Sequence, residues 1–261
     1  MPEPREYQTE AIIIHRTRLR EADRVLTLYT PDRGKIEALA RGVRKGTSKM
    51  AGHLELLTYT QIRLARGHTL DTIIGSQTID SFMALKNDLW LTSYGLYAAE
   101  LVNQFTVAHS ENPALFQLFH ETLSRLATAV NPDLTLRYFE LHLLQLAGFR
   151  PQLQQCVVCQ RDLTPVINLF CASAGGILCP ECRDTHPGGF PISPDALKVL
   201  RFLQRSPFSV VERLKIGPDL AHELKNALAA YIRYLLEREV KSATWIDSLR
   251  DQIDQAPGAQ I

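Results

Sequence analysis

The sequence predicts an α+β protein: a small five-stranded β-barrel, then a helical body interrupted by a four-cysteine module. Three observations predict it. Hydrophobic residues recur with a period near two up to about residue 81 and with a helical period afterwards. Proline-led helix openings recur downstream, at Asn131-Pro132-Asp133, Ser193-Pro194-Asp195 and Gly217-Pro218-Asp219. Two C-x2-C pairs, Cys156/Cys159 and Cys179/Cys182, lie 19 residues apart. The implied boundaries are 1–81 for the barrel, 82–151 and 191–250 for the helical body, 152–190 for the cysteine module and 251–261 for a tail.

Five segments read as strands: 11–19, 23–30, 34–41, 56–65 and 69–79. They are rich in Ile, Val, Leu and Thr, and Pro31-Asp32-Arg33-Gly34 and Arg66-Gly67-His68 supply turn chemistry. In the fourth, Thr58, Thr60, Ile62 and Leu64 share one face and Tyr59, Gln61 and Arg63 the other. An OB-fold is the natural five-stranded closed barrel; a sandwich fragment or an SH3-like barrel fits the pattern nearly as well.

Beyond Phe82, Leu89, Leu96, Tyr97, Leu101 and Phe105 fall on one helical stripe and Leu115, Leu118, Phe119, Leu123 and Leu126 on the next. Tyr138, Leu141, Leu144 and Leu146 form a third, closed by Gly148. A last helix spans 220–241, with Leu220, Leu224, Leu228, Tyr231 and Leu235 as its buried stripe, and Ala256-Pro257-Gly258-Ala259 reads as a frayed tail.

The 261 residues are 45% hydrophobic and 22% charged, enough to bury a core. No run of about 18 apolar residues exists to cross a membrane, and the start has no apolar segment for secretion, so a cytoplasmic location is expected. Five cysteines, four of them in tight pairs, suit a metal in a reducing compartment better than a disulfide scaffold.

The cysteine spacing is that of a structural zinc site with ligands Cys156, Cys159, Cys179 and Cys182. Two intervening residues let one tight turn aim two thiolates at one ion, and a hairpin over 166–178, turning at Ala174-Gly175-Gly176, would return the second pair to the first. Four thiolates leave no position for water, which disfavours a zinc enzyme. Cys171 reads as packing, and His186 as a weaker substitute ligand.

The net charge of +1 hides a segregation. Between Arg16 and Arg66 lie twelve basic residues against five acids, a local excess of seven. Such an excess on a barrel is the footprint of a phosphate-tracking groove. The candidate contacts are Arg18, Arg20, Arg24, Lys35, Arg41, Arg44, Lys45 and Lys49, densest around Arg41-Gly42-Val43-Arg44-Lys45; the bland alternative is a solvated loop. Tyr29 and Tyr59 are stacking candidates or core. No phosphate-loop, His-Glu-x-x-His or nucleophile-elbow motif occurs. Glu100 and Glu140 read as helix-face or buried-pair groups, and His53, His68 and His142 as surface or satisfied core residues. A zinc-ribbon adaptor binding only protein is the competing non-catalytic reading.

The stretch Arg20-Glu21-Ala22-Asp23-Arg24-Val25-Leu26-Thr27-Leu28-Tyr29-Thr30, with Gly34-Lys35, Ala40-Arg41-Gly42-Val43-Arg44-Lys45, Ser48 and Leu54, resembles the N-terminal barrel of the RecO family of bacterial recombination mediators. Leu144-Gln145-Leu146-Ala147-Gly148-Phe149-Arg150-Pro151 before Cys156 is similar to that family's approach to its zinc module. The resemblance covers roughly residues 8–185. It implies an OB-fold barrel, a helical domain and a four-cysteine zinc module whose one Zn2+ is a stabilising staple. It further implies binding of single- and double-stranded DNA, annealing of complementary strands and, with RecR, loading of RecA on DNA coated by single-strand DNA-binding protein, whose acidic C-terminal tail docks on the helical body. On that footing Arg41, Arg44 and Lys45 fall on the basic barrel surface and the four cysteines on the metal ligands.

Overall fold

The computed structural model describes residues 4–254, with side chains to Leu249; the tail motif at 256–259 lies outside the described residues. The chain divides into two compact units, one reaching Thr128 and taking in the residues from Trp245 on, the other running from Ala129 to Thr244.

The first unit opens with five strands, β1 (Glu6–Arg18), β2 (Arg24–Thr30), β3 (Gly34–Ala40), β4 (Tyr59–Ala65) and β5 (Asp71–Asp80). They close in the order β1-β2-β3-β5-β4. Closure works because β1 is long: its first half pairs with β4 (Glu6 opposite Ala65 through Ile12 opposite Tyr59) and its second with β2. A short parallel pairing of β3 with β5, at Ala38–Asp71 and Leu39–Thr72, completes the OB-fold barrel. A sandwich fragment has no strand shared between both ends of one sheet. The interior is aliphatic, with Ala11, Ile13, Leu26, Leu28, Ile36, Ile62, Leu64 and Ile73 all buried. The fourth strand keeps the expected faces, since Thr58, Thr60, Ile62 and Leu64 are buried.

Three helices follow in this unit: α1 (Met83–Lys86), α2 (Leu89–Phe105) and α3 (Pro113–Leu126). Asp88 and Asn112 cap α2 and α3 by accepting the backbone N–H groups of Leu91 and Leu115. The α3 stripe is buried as expected, from Leu115 to Leu126. Of the expected α2 stripe Tyr97 and Leu101 are buried, together with Tyr94, Ala98 and Val102, whereas Leu96 and Phe105 are half-buried and Leu89 is 58% exposed. Leu89 is the first residue of the helix, one position after its cap, and does not reach the core.

The second unit contains α4 (Pro132–Leu146), a small sheet of β6 (Asn168–Cys171), β7 (Gly176–Leu178) and β8 (Phe190–Ile192) in the order β7-β6-β8, then α5 (Pro194–Arg205), α6 (Phe208–Val211) and α7 (Pro218–Leu236). Helices α4, α5 and α7 pack on one another. Glu140 proves to be half of a buried pair, with Arg137 at 2.7 Å, and His142 is satisfied by the Leu203 carbonyl at 3.1 Å. The expected helix over 220–241 ends earlier: Glu237 takes a left-handed conformation (φ +53°) that stops α7, and α8 (Lys241–Asp254) begins anew. Among the described residues no helix is long and apolar enough to cross a membrane.

Candidate nucleic-acid interface and metal centre

The interface starts from a register shift. A bulge between Ile13 and His15 resets the alternation along β1, so that Arg16 lies opposite Leu26 and Arg18 directly opposite Arg24. Like charges placed opposite one another repel. Glu55 relieves part of this, since it forms an ion pair with Arg16 and approaches Arg24 at 3.9 Å. Arg18 has no such acid among the described residues.

The hairpin loop after Arg18 is fixed to the turn after β3. Gly42 donates its N–H to Asp23 Oδ1 at 2.7 Å, Arg44 its N–H to the Ala22 carbonyl at 3.1 Å, and the Arg44 guanidinium binds the Glu21 carbonyl at 2.8 Å. Gly42 has φ +61°, which the turn requires and glycine supplies at no steric cost. Val43 enters the barrel core and is 4% exposed, which leaves its neighbours Arg41, Arg44 and Lys45 outside. One end of the barrel thus gathers Arg18, Arg20, Arg24, Arg41, Arg44 and Lys45, with Lys49 following in the same loop. Of these all but Arg24 are exposed, and Arg18, Arg20, Arg41, Lys45 and Lys49 have no carboxylate within 4.0 Å among the described residues.

Lys35 is not brought to this end. It stands at the other end of β3, about 20 Å away at the usual rise of an antiparallel strand. Its ammonium donates to the Asn103 carbonyl at 2.6 Å, beside a cleft of about 400 Å³ lined also by Glu37, Asp71 and His109. Arg33 and Arg66, counted in the local excess, are likewise spent on structure. Their guanidinium carbons lie 4.2 and 5.1 Å from the ring centroid of Tyr7, whose phenol donates to Asp71 at 2.5 Å. Tyr29 and Tyr59 both pack on Phe116 of α3, at 6.0 and 5.9 Å between ring centroids. They are packing residues, and among the described residues the basic end has no aromatic platform.

The metal centre forms where a knuckle meets a helical turn. Cys156 to Cys159 make a turn held to β7 by the Val157 N–H on the Ile177 carbonyl, while Cys179 and Cys182 begin a 3-10 turn over Pro180–Thr185. All four sulfurs lie within 4.8 Å of one another, and Cys159 Sγ is 3.8 Å from Cys179 Sγ. A tetrahedral centre with metal–sulfur bonds of about 2.3 Å has edges of about 3.8 Å. The donor set therefore fits one metal ion. Cys171 is buried outside the group beside Ser173, and His186 does not join it.

Local polarity favours thiolate at one ligand and opposes it at another. Cys159 is held down to about 6 by the Arg161 backbone N–H and then its guanidinium, which lies 3.4 Å from the sulfur. Burial, and then the neighbouring thiols, push Cys182 up to about 12. Arg161 also forms an ion pair with Glu181, which ties the two cysteine turns together. Sequence spacing does not disclose that partnership.

A further basic feature escaped the sequence reading. Lys198, Arg201 and Arg205 on α5 line, with Phe202 and Ser206, a cleft of about 370 Å³. Their spacing of three and four residues was the available signal.

Comparison with known proteins agrees with this layout. Residues 1–82 match the family model described as "Recombination protein O N terminal" and residues 86–244 that described as "Recombination protein O C terminal". The chain is 46% identical to the DNA repair protein RecO of Dehalococcoides mccartyi strain BAV1, over 96% of this chain and 98% of that one. It is 40% identical to the DNA repair protein RecO of Roseiflexus sp. strain RS-1 (98% and 90%) and 32% identical to that of Symbiobacterium thermophilum (94% and 98%).

Proposed function

From the premise that this chain belongs to the RecO family of DNA repair proteins, we propose that it is a non-catalytic, DNA-binding recombination mediator. It binds single- and double-stranded DNA, anneals complementary strands and, with RecR, helps load RecA on DNA coated by single-strand DNA-binding protein. The observation that carries this reading is the set of exposed cations at one barrel end without a carboxylate partner among the described residues, Arg18, Arg20, Arg41 and Lys45, with Arg44 among them and Lys49 further along the same loop.

The mechanism is electrostatic. Each cation placed on a phosphate releases condensed counterions, which gives affinity without sequence preference. Two complementary strands repel one another through the same phosphates, and a surface that neutralises part of that charge lowers the cost of bringing them together. With no aromatic platform among the cations in the described residues, no ring competes with a complementary strand for the bases of a bound one. Arg24, half engaged with Glu55, supports the tip, and Lys35 we place outside the contact set.

We further propose that the four cysteines hold one structural Zn2+. Thiolate donors in a closed tetrahedral set suit zinc, which would supply a cross-link between the two turns and no chemistry. On α5 the cleft formed by Lys198, Arg201, Arg205 and Phe202 has the chemistry for the acidic C-terminal tail of single-strand DNA-binding protein. RecA is reached indirectly, and the protein works in the bacterial cytoplasm, at the nucleoid during repair. The adaptor alternative predicts no contact with DNA at all.

Annealing of two complementary oligonucleotides, followed by loss of single-strand fluorescence, tests the reading. The protein should accelerate annealing at low salt and lose the effect as salt rises. No acceleration at any salt concentration would remove it.

A further inference from the structure

The hairpin loop that carries Arg18 and Arg20 also carries an apolar side chain between them. Leu19 is 51% exposed, in a loop whose backbone is fixed. Its N–H and that of Arg20 both donate to the Asp23 carbonyl, at 3.2 and 3.4 Å, while Asp23, Ala22 and Glu21 are bonded to the turn at Gly42 and Arg44. The loop backbone is thus held on both sides with its leucine half exposed. A single exposed leucine is ordinary on a protein surface. This one lies between Arg18 and Arg20, in the loop fixed to the turn that carries Arg41, Arg44 and Lys45, the cations that a polyanion would approach.

We propose that Leu19 is a base-contacting residue: it packs against unstacked nucleobases of a strand whose phosphates lie on the surrounding cations, and so tilts the barrel end toward single-stranded DNA. The inference rests on the DNA-binding reading above and adds the base contact to it. The charge complementarity of Arg18, Arg20, Arg41, Arg44 and Lys45 selects a polyanion, and the exposed apolar side chain among them selects one with accessible apolar faces. A duplex keeps those faces stacked inside and offers Leu19 only grooves and backbone. A single strand can splay its bases onto any apolar surface.

The experiment compares wild type, Leu19→Ser and Leu19→Phe on three ligands of equal length: oligo-dT, an abasic oligonucleotide and a duplex. Covering an already half-buried leucine is a fraction of a full burial, so wild type should prefer oligo-dT to the abasic strand by about five- to tenfold. Leu19→Ser should lose that preference, keep its affinity for the abasic strand and the duplex, and keep the salt slope. Leu19→Phe should widen the preference, because a ring stacks on bases. Equal binding of wild type to oligo-dT and the abasic strand overturns the base contact, as does a uniform loss by Leu19→Ser on all three ligands. Failure of wild type to bind any of the three in a salt-dependent manner strikes instead at the DNA-binding reading itself.

Discussion

Replacing Arg41, Arg44 and Lys45 together by glutamine has a consequence that can be worked out in advance. Six exposed cations lie at the end of β1 and in the two loops joined there, namely Arg18, Arg20, Arg41, Arg44, Lys45 and Lys49. If each meets one phosphate of a single strand, the logarithm of affinity falls with the logarithm of salt at a slope of about −4, at about 0.7 per contact. A fourfold rise in salt then weakens binding by roughly 300-fold. With three contacts gone the slope halves to about −2, and the same rise costs only roughly 20-fold. The barrel should survive, because Arg41 and Lys45 make no ion pair among the described residues and Val43, which anchors the turn, is retained. Arg44 gives up only its guanidinium bond to the Glu21 carbonyl. Fluorescence anisotropy of a labelled oligo-dT across a salt series reads the slope. A triple variant that loses affinity while its slope stays near wild type would refute the reasoning, since the loss would then come from something other than phosphate contacts.

Four further outcomes follow from the same structure. Lys35→Gln should leave the salt slope unchanged yet destabilise the protein by about 1–3 kcal/mol in urea unfolding, because it withdraws a charged donor from the Asn103 carbonyl. Gly34→Ala should cost about 3 kcal/mol or more in thermal denaturation: φ is +61° and the new Cβ would lie 2.0 Å from the Ser110 carbonyl oxygen. Elemental analysis should find about one zinc per chain, and Cys159→Ser should lower Tm without selectively abolishing DNA binding. Zinc affinity should fall as pH falls. At neutral pH the Cys159 thiol, held down to about 6, is already ionised, whereas Cys182, pushed up to about 12, must release a proton to bind. Acidification below about 6 protonates Cys159 too, so a chelator competition should show zinc binding weakening more steeply there than above pH 7.

Much of the barrel could be read from residues because its interior is made by strict alternation, as in β4, and its turns by proline, glycine and aspartate. The start of β1 was less visible. Its first half places Glu6, Gln8 and Glu10 outside and only Tyr7 and Thr9 toward the interior, so it lacks the aliphatic signature that marks a strand. The break between α7 and α8 was hidden for a related reason: a glutamate occupies the left-handed position at 237, where glycine would have announced the stop. The metal centre was legible outright, since C-x2-C spacing encodes its own geometry. Among the basic residues the sequence supplied the excess but not its sorting. Arg33 and Arg66 enclose Tyr7 and Lys35 is bound to α2, and these are facts of strand direction and helix packing that no composition records. The bulge before His15, which places Arg18 opposite Arg24, is equally silent in a linear chain.

Photo-crosslinking from defined positions tests the central claim most directly. A benzophenone amino acid placed at Arg20 or at Lys45, both exposed at the basic end, and at Gln8 or Glu37, exposed elsewhere on the barrel, would be irradiated with a labelled single strand at moderate salt. Covalent adducts should form from positions 20 and 45 and stay near background at 8 and 37. Equal or stronger labelling from 8 and 37 would place the strand away from the gathered cations and contradict the account.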